Sequence, residues 1–251
     1  MSDYNQAYHT EIETNARRSA ETIIQLLIKL FQPQSVADIG CGRGTWLAEW
    51  QRQGISQILG VDGGGQDVSR LLIPSRNFLE YDLNTPFNSA RRYDLVTCME
   101  VVEHLKPASA TTIVQSLTSL SDVIVFSAAV PQQGGFKHIN EQWPAYWAEK
   151  FEAEGYVFTD GIRWQLMPHP EVAWWYRQNL FLVIKKELYD QKFSFLPRFS
   201  PDFYVMHELV YKTYASLPYR LFFTIEQFIY NHFHSFYHTI NPTIKKLLSK
   251  S

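Results

Sequence analysis

Residues 36–46 read VADIGCGRGTW: an apolar run, then Gly40, Gly42 and Gly44 at alternate positions, then the start of a helical pattern. No other segment restricts the fold as strongly. Glycine is required where the backbone turns sharply and approaches a ligand closely, and a following helix offers unsatisfied N–H groups to a carboxylate or phosphate. About 20 residues further on, a second apolar run ends in Asp62, placed to accept hydrogen bonds from both hydroxyls of a ribose. Strand, glycine loop, helix, strand and acid in this order imply a nucleotide-type ligand. The alternative is a tight strand-to-helix turn that binds nothing.

The rest of the first three quarters of the chain fits the same plan. Short β-branched runs alternate with helical patterns, the signal of strands joined by crossover helices. Strands are expected at residues 35–39, 57–61, 77–82, 93–99 and 122–129, and helices at 15–31, 45–53, 108–120 and 143–154. Two further strands, 156–164 and 172–185, flank a turn with Pro168 and Pro170 and form an antiparallel pair at a sheet edge. The fold class is therefore α/β, a doubly wound and mostly parallel sheet.

A dinucleotide fingerprint, G-x-G-x-x-G, would place its last glycine at residue 45, which is Thr45. The spacing here is G-x-G-x-G, preceded by Asp38. The stretch resembles motif I of the class I S-adenosylmethionine-dependent methyltransferases, and the strand plan over residues 17–185 is similar to that family's seven-stranded sheet. The resemblance implies that Gly40, Gly42 and nearby backbone hold the methionyl part of the cofactor, Asp62 the ribose and Asp82 the adenine amino group. Asp38, Gly44 and Glu100 complete the expected cofactor site.

After the fourth strand come Glu100, Glu103 and His104, at i, i+3 and i+4, which share a face if the segment is one helical turn. Two carboxylates converging with an imidazole would repel one another unless protonated or bridged by a cation, and oxygen ligands with histidine suit Mg²⁺, Mn²⁺ or a similar ion. His138, in the loop after the fifth strand, opens on the same sheet edge and is the candidate fourth ligand. The E-x-x-E-H segment with a later histidine is similar to the metal site of small-RNA 2′-O-methyltransferases, and its first part to the ubiquinone-pathway O-methyltransferases. That resemblance implies an ion chelating adjacent acceptor oxygens, with Glu100, His104 and His138 as catalytic residues. A metal-free role of His138 as general base, and a purely structural cluster, remain the alternatives.

Around His138 runs HINEQWPAYW, and Trp174 to Asn179 read WWYRQN; on a strand Trp174 and Trp175 would point to opposite faces. Aromatic and amide side chains make stacking and hydrogen-bonding surfaces for sugars, although most such aromatics pack in cores. The stretches VDGGG, FSAAVPQQGG, HINEQWPAYW and EVAWWYRQNL resemble bacterial methyltransferases associated with glycan modification. The reading that follows is an O-methyltransferase acting on a hydroxyl of a vicinal diol, in a sugar or glycan. A catechol or quinone precursor, an RNA 3′ end, or an inactive cofactor-binding scaffold are the alternatives.

With 23 Lys and Arg against 25 Asp and Glu, the net charge of −2 gives no bulk attraction to nucleic acid. Cys41 and Cys98 alone cannot build a disulfide framework or a metal knuckle, and no run approaches about 18 apolar residues, so a reducing, cytoplasmic setting is expected. Residues 1–187 read as the methyltransferase domain with its N-terminal helix. Residues 188–251 read as a helical extension, since residues 193–237 hold 15 of the 38 aromatic residues and no tryptophan. Phe222, Ile225, Ile229, Phe233, Phe236 and Ile240 recur at helical spacing ahead of Lys245 and Lys246. Such a face suits the inner surface of a membrane, a second copy of the chain, or the domain itself.

Overall fold

The structure is a computed structural model that describes residues 3–63, 65 and 67–200. Helix α1 (Asp3–Phe31) leads into β1 (Ser35–Ile39), α2 (Thr45–Arg52), β2 (Gln57–Asp62), β3 (Phe78–Glu80) and β4 (Leu95–Met99). There follow α3 (Ala110–Leu120), β5 (Val123–Ser127), α4 (Pro144–Ala153), β6 (Tyr156–Thr159), α5 (Arg163–Leu166), α6 (Trp174–Asn179), β7 (Phe181–Lys185) and α7 (Lys186–Leu188). The seven strands are ordered β3-β2-β1-β4-β5-β7-β6. The first five are parallel, and β7 runs antiparallel between β5 and β6. The expected doubly wound sheet with its antiparallel pair is what the chain forms.

The central strands are apolar at nearly every position because both faces of the sheet are covered. Side chains alternate across a strand, and they divide accordingly between two cores. In β5, Val123 and Val125 join one and Ile124 and Phe126 the other; in β7, Leu182 and Ile184 join the first and Phe181 and Val183 the second. Ile23 and Leu27 of α1 and Leu47 and Trp50 of α2 close the first core, while Ile113 and Leu117 of α3 and Trp147 and Phe151 of α4 close the second. Full burial of one such side chain contributes about 1.5–3 kcal/mol. The strand order reverses between β1 and β4, and at such a switch point a crevice opens beyond the carboxyl ends of the strands.

Most expected strands lose a residue or more at their ends, and two are cut by more than half. Residues 156–164 form a strand only to Thr159, and residues 172–185 begin with the helical turn α6 before β7. Arg163 explains the first break. It is buried at 2% exposure, forks onto Asp160 at 2.6 and 2.5 Å, donates to the Gln178 carbonyl at 2.8 Å, and stacks over Phe181. A buried guanidinium must satisfy its donors, and doing so draws residues 160–163 out of the sheet and ties them to the end of α6. Trp174 and Trp175 consequently sit side by side on a helical turn, ring centres 5.7 Å apart, rather than on opposite faces of a strand.

Packing continues beyond the boundary expected after residue 187. Tyr189 and Leu196 are buried in the first core, the Tyr189 hydroxyl donates to the Leu196 carbonyl at 2.8 Å, and Phe199 packs on Phe158 and Phe181. The aromatic run at residues 218–240 lies outside the described residues. Among those described, no helix is long and apolar enough to cross a membrane.

Candidate active site

The glycine loop is built by its attachment to β2. Gly40 has φ 83°, and a Cβ there would lie 2.3 Å from Cγ2 of Val101, so no other residue fits without displacing the segment after β4. The N–H groups of Gly40 and Cys41 both donate to the Val61 carbonyl, at 2.7 and 3.1 Å. That anchorage delivers the Gly42 N–H to Oδ2 of Asp62 at 2.8 Å. Gly44 stands immediately before α2. Asp38, buried in β1, accepts from the Thr97 hydroxyl of β4 at 2.6 Å through Oδ1, while its Oδ2 is buried without a hydrogen-bond partner. Burial raises its pKa to about 7. An orphaned buried carboxylate oxygen at the strand switch point fits a ligand that brings a cation or N–H donor. Asp82 is different: it is exposed after β3, and its Oδ1 accepts from the N–H and side-chain amide of Asn84, both at 2.9 Å. These bonds hold its pKa below the usual range and shape a local turn.

The segment after β4 is not the helical turn expected. Glu100 has φ 54°, and only Val102–His104 forms a single 3₁₀ turn, so Glu100 does not share a helix face with Glu103 and His104. The Glu100 N–H donates toward the carbonyl and hydroxyl of Ser127, at 3.0 and 3.1 Å, which fastens this left-handed residue to the end of β5. Its carboxylate is gripped by two side-chain amides, Asn179 Nδ2 at 3.2 Å on Oε1 and Gln133 Nε2 at 2.9 Å on Oε2. The Val130 N–H donates to Oε1 of Gln133, so the Gln133 amide can present only its N–H₂ to Glu100. Burial raises the Glu100 pKa, and the donors from Asn179 and Gln133 oppose that rise.

Glu103 turns into the core. It is fully buried, and neither carboxylate oxygen makes a hydrogen bond of good geometry, the N–H groups of Glu103 and Ala129 only approaching it. Burial, and after it the charge of Glu100, pushes its pKa well above the ordinary carboxylate value. The Glu103 carbonyl accepts from the N–H groups of Ile139 and Asn140, at 2.8 and 3.0 Å, and these bonds bring His138 to the cluster as its position in the loop after β5 implies. Glu103, His104 and His138 offer ligand atoms within 4.8 Å of one another. The two rings meet edge to face. His104 keeps solvent access at the cavity wall, yet loss of hydration among protein atoms, followed by the neighbouring His138, lowers its pKa to about 4. A neutral imidazole beside a carboxylate lacking donors suits a divalent cation. Glu100, grouped with these residues as a ligand by sequence, stands outside the cluster and is held by amides instead.

Thr97, Gln133 and Glu141 are not singled out by the sequence, whereas Asn179, expected within the WWYRQN run to offer its amide to a sugar, donates to Glu100. Glu141 alone leaves a signal, its i+3 spacing from His138, and its Oε1 lies 2.9 Å from Nδ1 of that ring. A cavity of about 510 Å³ opens beside the Glu103, His104 and His138 cluster, lined by Met99, Glu100, Glu103, His104, Gln133 and His138, with Phe136, Trp174, Trp175 and Tyr176 as aromatic walls and Asn15 of α1 at its edge. Its size is that of a small-molecule site.

A family model described as a methyltransferase domain matches residues 12–179. The chain belongs to this methyltransferase family. Together with the sheet order, the match makes it a class I, S-adenosylmethionine-dependent methyltransferase. The methyltransferase is 35% identical over 102 residues to the ubiquinone biosynthesis O-methyltransferases of Yersinia pestis (strain Pestoides F) and Yersinia pseudotuberculosis (strain YPIII serotype O:3). The match covers 38% of this chain, and the chain spans 42% of the length of these relatives. Its fold is similar to that of Streptomyces venezuelae DesVI, with a TM-score of 0.53 at 15% identity over 73% of this chain and 99% of the other. Magnesium protoporphyrin IX methyltransferase from Synechocystis PCC 6803, solved with bound SAM, gives a TM-score of 0.53 at 17% identity over 74% of this chain and 85% of the other.

Proposed function

We propose that this methyltransferase transfers a methyl group from S-adenosylmethionine to a hydroxyl of a vicinal diol, with help from a divalent cation held by Glu103, His104 and His138. The observation that carries this reading is the fully buried Glu103, its two carboxylate oxygens without donors, beside two imidazoles on the wall of the same cavity as Glu100. S-adenosylmethionine supplies a methyl already activated by its sulfonium. Bound there, a divalent ion supplies the Lewis acidity that makes a hydroxyl a better nucleophile.

The protein's own residues position the partners. The Gly40–Gly44 loop and Asp38 hold the methionyl end, with Oδ2 of Asp38 meeting the ammonium group, and Asp62 holds the ribose. Glu100, kept as a hydrogen-bond acceptor by Asn179 and Gln133, orients a hydroxyl at the floor of the cavity. Phe136, Trp174 and Trp175 wall the cavity and favour a flat or stacked acceptor, which supports a sugar or glycan. A catechol is the second reading, favoured by the O-methyltransferase relatives.

Incubation with methyl-labelled cofactor and a panel of glycans, nucleoside diols and catechols, followed by mass spectrometry of the product, tests this proposal. Label on an oxygen of an adjacent pair is expected. Label on nitrogen, carbon or an isolated hydroxyl would overturn it.

A further inference from the structure

The loop that carries His138 is unusually constrained. Gln132 and Lys137 are non-glycine residues at φ 69° and 60°, and Gly134 lies at φ 72°. The carboxylate of Glu141 holds this turn together from inside. Its Oε2 accepts from the Gln132 N–H at 2.6 Å, and its Oε1 accepts from the Gly134 N–H at 2.8 Å and lies 2.9 Å from Nδ1 of His138. Both side chains are largely buried, at 12% and 13% exposure. Backbone N–H groups only donate, so both Glu141 oxygens are acceptors here and the hydrogen shared with His138 resides on Nδ1. The ring's other nitrogen is then left bare. On its far side the ring lies against Gly135: a Cβ at that position would be 2.2 Å from Nε2 and 2.4 Å from Cε1.

We infer that Glu141 and Gly135 are positioning residues for His138, Glu141 fixing the tautomer protonated at Nδ1 and Gly135 leaving the space in which the ring lies. The consequence is that Nε2, with its lone pair available, is the atom His138 contributes to the cluster with Glu103 and His104. This rests on the proposed function for its purpose, because only a ligand or a base needs a specified bare nitrogen. The tautomer itself does not depend on that reading. Carboxylates that orient ligating histidines typically change metal affinity 10- to 100-fold when removed.

The test uses the full chain with ¹⁵N-labelled histidine, free of metal, at a pH of about 8, above the ordinary imidazole range. Long-range proton–nitrogen correlation spectra identify the tautomer, and loss of signals in His138→Gln assigns the ring. Wild type is expected to show a protonated Nδ1 and a bare Nε2, Glu141→Ala a mixture of tautomers, and Gly135→Ala shifted His138 resonances. In both variants Mn²⁺ should bind about 10- to 100-fold more weakly, with S-adenosylmethionine affinity unchanged. A wild-type ring protonated at Nε2, a pure Nδ1–H tautomer in Glu141→Ala, or unmoved signals in Gly135→Ala would each overturn the inference. Should Glu141→Ala fail to fold, the wild-type spectrum and Gly135→Ala decide alone. A wild-type protein that binds no Mn²⁺ refutes the metal part of the proposed function, while the nitrogen spectra still decide the tautomer.

Discussion

Asn179 Nδ2 lies 3.2 Å from Oε1 of Glu100, a residue 79 positions earlier in the chain, and 2.8 Å from Oε1 of Gln133. Its own Oδ1 accepts from the Gln178 side-chain amide at 3.1 Å, so α6 is joined through one buried amide to both loops that line the cavity. Asn179→Leu keeps the volume and removes the donor and the acceptor, so the Gln178 amide loses its bond to Oδ1 and one Glu100 oxygen loses its amide donor. Destabilisation of about 1–3 kcal/mol is expected in chemical denaturation. An unchanged midpoint and slope would show that the amide contributes nothing.

Asp62 supports the glycine loop and, on the proposed reading, the cofactor ribose. Asp62→Ala loses the bond to the Gly42 N–H as well as the ribose contacts. Affinity for S-adenosylmethionine and its demethylated product should fall by about ten- to a hundredfold, the worth of about 1.5–3 kcal/mol in charge-assisted hydrogen bonds. Calorimetry that finds equal affinity in the variant contradicts this role.

The buried Asp38 predicts a pH dependence. Its pKa is about 7 in the folded protein, raised by burial, against about 3.9 in an unfolded chain. Between these values the folded state keeps a proton that the unfolded state has released, so this group's contribution makes the protein less stable as pH rises from about 4 to 7, and no further above that. A cofactor ammonium at Oδ2 favours the ionised form, so S-adenosylmethionine should bind more tightly as pH rises through 7, by up to about tenfold per unit on the acid side. Calorimetry at pH 6, 7 and 8 should show proton release in wild type and none in Asp38→Asn. Identical pH profiles in the two proteins would rule out Asp38 as the linked group.

Much of the site is legible in the sequence, for a physical reason. The glycine loop, Asp38 and Asp62 are local consequences of one strand-turn-helix-strand unit, and His138 follows from both loops opening on one sheet edge. Sequence and structure part where long-range packing overrides local preference. Trp174, Trp175 and Tyr176 have strand propensity, yet only Phe181 onward finds partners on β5, and the preceding residues close into a helical turn. The helical face assumed for Glu100, Glu103 and His104 fails because Ser127 and the two amides impose a left-handed conformation on Glu100. Gln133 acts from a loop and Asn179 from the end of α6, and the spacing of neither to Glu100 carries a periodic signal. Arg163 falls inside the strand expected at residues 156–164, and only its burial against Asp160 shows why that strand stops at Thr159.

The cluster should also separate cation binding from folding. Glu103→Gln keeps the shape of a buried side chain whose raised pKa already favours the neutral acid when no cation is bound, so one neutral group replaces another and stability is expected to be little changed. Mn²⁺ binding should be lost and cofactor binding retained. A variant that unfolds, or that binds Mn²⁺ as wild type does, would remove Glu103 from the site.

Methyl transfer measured with and without chelation tests the central claim most directly. Protein treated with EDTA, supplied with methyl-labelled S-adenosylmethionine and the acceptor found in the panel, should bind cofactor but transfer no label. Addition of Mg²⁺, Mn²⁺ or Co²⁺ should restore transfer in wild type and fail to do so in Glu103→Gln and His138→Ala. Full transfer in the presence of EDTA would contradict a cation-assisted reaction, and a defect of His138→Ala that persists under those conditions would assign that histidine the part of a general base.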